Sequence, residues 1–65
     1  MMRKAYLRDV KDKINNGEIT AYIEFLGHNL KIKDVSPDYV VRVECGGEFY
    51  RSFYCTPCTI IYVEC

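Results

Sequence analysis

The chain has 65 residues, room for one domain with a core so small that its net stability is only about 3–5 kcal/mol. Nine basic and nine acidic side chains cancel, which excludes a whole-molecule field for nucleic acid or anionic membrane and leaves only a local patch for any polyanion. An apolar share of 49% with 14% aromatic residues excludes a disordered chain, and the charges from Arg3 to Lys13 exclude a secretory signal at the amino terminus.

No apolar run approaches membrane-spanning length, so the expectation is a cytoplasmic protein with no membrane partner, folded as a single domain over residues 1–65. The spacing of Tyr6, Leu7, Val10 and Ile14 predicts an amphipathic helix over about residues 3–16, and Asn15-Asn16-Gly17 supplies its stop, because glycine accepts the left-handed conformation that closes a last turn.

After Gly17 the period changes to two. Ile19, Ala21, Ile23 and Phe25 alternate with polar or amphipathic neighbours and predict a half-buried strand over about 18–26. Gly27-His28-Asn29 is the expected turn, and a second, more polar strand runs over about 29–35 to the break at Ser36-Pro37-Asp38. Two further strands, about 39–45 and 48–55, flank Gly46-Gly47, a strong hairpin signal since both glycines accept positive φ. Straight pairing across that turn sets Cys45 opposite Glu48, Val43 opposite Tyr50, and Arg42 opposite Arg51 on the reverse face. Such a like-charge pair costs stability unless an anion lies between, which makes Arg42 and Arg51 a candidate anion site, with Tyr50, Tyr54 and His28 as further candidate ligand contacts. Thr56-Pro57 turns the chain into a last strand over about 59–64, apolar on both faces.

All four cysteines, Cys45, Cys55, Cys58 and Cys65, lie in the final third, and the spacing of Cys55 and Cys58 is that of half a tetrahedral zinc site. Zinc, free thiols and disulfides all stay open. Strand-like sequence after Cys58 argues against a redox pair, which is usually set at the start of a helix. The scattered carboxylates and a single histidine offer no acid–base constellation, so the chain reads as a non-enzyme without an obligatory cofactor.

The run Leu26-Gly27-His28-Asn29-Leu30, with Asp38 at its interval and the strand from Tyr39 to Val43 following, resembles the first motif of the Sm-like (Hfq and LSm) family. The order of a helix and short strands matches that family as well. Ile32 stands where the family has a second glycine, Pro37 replaces the usual aromatic residue, and the second, RNA-contacting motif has no counterpart around Arg51 to Thr59. The resemblance implies a small bent barrel that assembles into rings; an SH3-like or generic open barrel fits the same pattern. The fold class expected is therefore α+β, an N-terminal helix followed by a strongly bent antiparallel sheet of four or five strands or a small open barrel.

Self-association is expected, because a last strand apolar on both faces leaves an exposed edge. The leading functional expectation is a non-catalytic binding protein that captures RNA or a nucleotide at an oligomeric β-surface. The alternatives are a protein-binding inhibitor or regulator acting through an aromatic patch, and a zinc-stapled interaction module.

Overall fold

The computed structural model describes residues 1–64. Seven elements follow in order: β1 (Met2–Tyr6), α1 (Leu7–Asn15), β2 (Thr20–Phe25), β3 (His28–Val35), β4 (Val40–Cys45), β5 (Glu48–Tyr54) and β6 (Ile60–Glu64). The six strands form one antiparallel sheet in the order β1-β6-β2-β3-β4-β5, open between its edge strands β1 and β5. No helix is long and apolar enough to cross a membrane among the described residues.

The sixth strand comes from the first part of the expected helix. Met2 to Tyr6 pair with Glu64 to Ile60, so α1 starts only at Leu7, and Tyr6 stays on the strand, part-exposed. No side chain caps the helix start. Instead the Leu7 and Arg8 amides donate to the carbonyls of Thr59 and Pro57, at 2.8 and 3.1 Å. These carbonyls satisfy two of the donors that a helix start leaves without partners. A cap that comes from a turn fifty residues away leaves no local sign, so periodicity alone extends the helix through residues 3 to 6.

The helix end is as expected. Gly17 takes φ +76°, its amide donates to Ile14 (3.1 Å) and the Glu18 amide to Lys13 (2.9 Å), the two bonds of a Schellman closure. Between these ends Leu7, Val10 and Ile14 form the buried stripe, packed on a core that includes Ala21, Ile32, Val41, Val43, Ile61 and Val63.

The sheet is strongly curled. Phe25 of β2 and Phe53 of β5 have ring centroids 5.0 Å apart, although two strands lie between them. Side chains standing upright on a flat sheet three strand spacings apart would be about 14 Å distant. Two bulges assist the bend. One falls between Ile32 and Asp34, which lets both Ile32 and Val35 face the core despite their odd spacing. The other lies in β5 and changes the functional reading.

The last strand is not an edge. β6 runs between β1 and β2 and is paired on both sides, so the edge that motivated self-association is already covered by the chain's own first strand. The exposed edges are β1, guarded by Arg3 and Lys4, and β5.

Candidate functional site

Two tight turns frame the site. Phe25 pairs with His28, so the β2–β3 turn consists of Leu26-Gly27, one residue earlier than expected, and Leu26 is held at φ +52°. Cys45 pairs with Glu48 around Gly46-Gly47 as expected. Between the turns lies a cleft of about 470 Å³, lined by Phe25, Leu26, His28, Leu30, Cys45 and Tyr50 among others. Its wall is largely apolar.

Past the turn the β4–β5 register departs from straight pairing. Glu44 faces Phe49 but Val43 faces Arg51, so Tyr50 is an extra residue on β5 and every later side chain is exchanged between faces. Arg42 is opposite Ser52, not Arg51, and the two arginines lie on opposite faces of the sheet. The bulge turns Phe53 inward, opposite the fully buried Val41 and onto Phe25; straight pairing would have put Ser52 there.

Neither arginine is an unengaged cation. Arg42 grips the Asp34 carboxylate with two hydrogen bonds, Nε to Oδ1 at 2.8 Å and Nη2 to Oδ2 at 2.7 Å, and this contact pushes the Arg42 pKa above its ordinary value. The Arg51 guanidinium lies 4.6 Å from the Phe25 ring centroid and 5.0 Å from that of Phe53, a cation held by two ring faces. The other charged group on the neighbouring outer row, Lys31, pairs with Glu44 at 3.5 Å.

Of the residues singled out from the sequence, His28, Tyr50 and Cys45 come together around the cleft, with Arg51 seated on its Phe25 wall. Tyr54 is at the far end of β5 opposite Val40 and is 88% exposed. Cys55 and Cys58 flank the turn that caps α1, about 20 Å along the hairpin from Cys45, so no single metal site can hold Cys45 with them. Cys65 lies outside the described residues. Among the described residues no three metal-ligating side chains gather.

The sequence reading missed Leu26, which is 81% exposed, and the wall residue Phe25. Leucine beside glycine in a two-residue hairpin loop was the available signal, since asparagine or aspartate normally stands there.

No protein family, curated protein or solved structure matches the chain.

Proposed function

We propose that the chain is a protein-binding module, an inhibitor or regulator in its action, whose contact surface is the pair of turns around the cleft with Tyr50 of β5. One observation carries this reading. Leu26 is a β-hairpin residue at positive φ, a conformation that costs a side chain about 1–2 kcal/mol, and it is exposed to water at the same time. The conformation closes the two-residue turn, but the fold gains almost no burial from having a leucine there, where asparagine or glycine would serve.

The contrast is Tyr39, the other non-glycine residue at positive φ (64°) among the described residues. Its ring packs against the core under Lys11, 5.3 Å away, and its carbonyl accepts the Cys55 amide at 3.1 Å, so the strain there is offset within the fold. Leu26 stands instead beside the half-exposed Tyr50 at the lip of an apolar cleft, with His28 on the same rim. Rigid aromatic residues around a shallow apolar pocket are favoured anchors for protein contacts. An anionic ligand is less well supported, because Arg42 and Arg51 already have partners and lie on opposite faces.

The bulge in β5 fits the same picture. It twists the one unguarded edge away from continuous strand pairing, so recognition falls to side chains and not to any passing strand.

The test is site-specific photocrosslinking in the native host, with the crosslinking residue at His28 or at Leu26 and, as control, at Glu24. The expected outcome is one protein adduct from His28 and Leu26, absent from Glu24 and lost when Tyr50 is changed to serine. Adducts to RNA, or equal adducts from all three positions, would replace this reading.

A further inference from the structure

Strand-like sequence after Cys58 counts against a redox pair only if the helix has to follow in the chain. Here the fold brings the helix from elsewhere. The Cys55–Thr59 turn is held against the first turn of α1 by the Leu7 and Arg8 amides, which donate to Thr59 and Pro57 at 2.8 and 3.1 Å. The Arg8 side chain then donates from Nη1 to the Cys58 sulfur at 3.3 Å. The turn itself is closed by the Thr59 amide on the Thr56 carbonyl and the Thr56 amide on Thr59 Oγ1, both at 3.0 Å.

The two thiols of this cluster differ. Cys58 is exposed and touched by a guanidinium, while Cys55 is half-buried and packs against the core. We infer that Cys58 is an attacking thiol and Cys55 its resolving partner, a pair that reduces a hydroperoxide and closes to an intramolecular disulfide.

In the first step the Cys58 sulfur, as thiolate, attacks the terminal oxygen of the hydroperoxide; the O–O bond breaks, the alkoxide or hydroxide leaves and takes a proton, and Cys58 becomes a sulfenic acid. In the second, the Cys55 sulfur attacks the Cys58 sulfur; the S–O bond breaks, the S–S bond forms, and hydroxide departs with the Cys55 proton as water. Two thiols lose two electrons in all, and the hydroperoxide gains them.

The asymmetry sets the order. The Cys58 sulfur is open to solvent and in contact with the Arg8 guanidinium, so it meets the hydroperoxide first, whereas the Cys55 sulfur is packed against the core. Cys45 is an internal comparison, an exposed thiol that takes part in no side-chain hydrogen bond among the described residues. Trypsin separates the two, with Cys45 in residues 43–51 and the pair in residues 52–65.

The experiment uses the full chain with Cys65→Ser, reduced and then treated with limiting iodoacetamide or with hydrogen peroxide. Cys58 is expected to alkylate about threefold or more faster than Cys45, with the advantage lost in Arg8→Ala and largely kept in Arg8→Lys. Arg8→Ala leaves the backbone contact to Pro57 in place, and circular dichroism verifies that the variant is folded. Peroxide is expected to remove two hydrogen atoms from the 52–65 peptide while Cys45 stays reduced; with Cys55→Ser, dimedone is expected to trap a sulfenic acid at Cys58. Equal alkylation of Cys45 and Cys58, indifference to Arg8→Ala, or oxidation of Cys45 without a Cys55–Cys58 disulfide would each overturn the inference.

Discussion

The side-chain amide of Asn15 exchanges two hydrogen bonds with the backbone of Val35, Nδ2 donating to the carbonyl at 2.8 Å and the Val35 amide donating to Oδ1 at 2.9 Å. β2 follows β3 only as far as the Tyr22–Lys31 pair and then turns to β6, so the end of β3 has no strand on that side. The last residue of α1 takes the place of the missing strand. It ties the helix to the curled sheet at the point where β2 and β3 part.

Asn15→Ala is expected to lower stability by about 1–2 kcal/mol, because it leaves the amide and carbonyl of a buried strand residue without partners. In a domain with so small a margin this should be plain as a lower urea midpoint at unchanged slope. A midpoint within error of the parent protein would show that water replaces the amide without cost.

Leu26→Asn is expected to raise stability by about 1 kcal/mol, since asparagine tolerates the left-handed region and gives up no buried surface at a position 81% exposed. For a domain of this size that is a melting temperature higher by about 4–8 °C. The same substitution is expected to abolish the protein adduct from a crosslinker at His28. Gain of stability with loss of binding is what separates a strained contact residue from a merely imperfect turn; a lower melting temperature would remove the argument from strain.

The elements whose signals are local were legible in the sequence. Gly17 closed the helix, the change of period after it marked the strands, and Gly46-Gly47 fixed Cys45 opposite Glu48. What failed depended on distant partners. Residues 3 to 6 have helical spacing but pair with β6, and the cap that starts the helix at Leu7 belongs to Thr59 and Pro57. The extra residue at Tyr50 is decided by whether Phe53 or Ser52 fills the space beside Val41 and Phe25, a contact that closes only when the whole sheet curls. One residue of slip moved Arg51 to the other face, and the arginine pair read from straight pairing does not form. His28, Tyr50 and Cys45 do meet, although nothing in their spacing brings them together.

Arg51→Ala is expected to cost about 1–2 kcal/mol, as it removes a cation from two ring faces, each such contact contributing about 0.5–1 kcal/mol at an exposed site. Arg51→Lys should recover only part of this, because a compact, strongly hydrated ammonium covers less of the two adjacent rings than a planar guanidinium does. Thermal melts of the two variants provide the ranking. If lysine proved equal to arginine, the site would need only a charge, and the stacking argument would fail.

Burial pushes the Cys55 thiol above its ordinary value of 9.0, outweighing the opposite pull of a hydrogen bond with Thr59, and the consequence has a definite sign. Below that value the folded and unfolded chains both hold the proton, so the packing of Cys55 against the core contributes in full. As pH rises past it the unfolded chain releases the proton while the folded chain keeps it, which favours unfolding more with each step until the folded value is passed. Stability should therefore fall above about pH 9, and the difference in urea midpoint between the parent protein and Cys55→Ala, positive at neutral pH, should shrink there. Tyr22, raised by its hydrogen bond to Glu64 at 3.0 Å, adds a similar decline at higher pH, so the comparison is best made in a Tyr22→Phe background. A midpoint difference that stays constant between neutral and alkaline pH would mean that the Cys55 proton is no harder to remove in the folded chain than in the unfolded one.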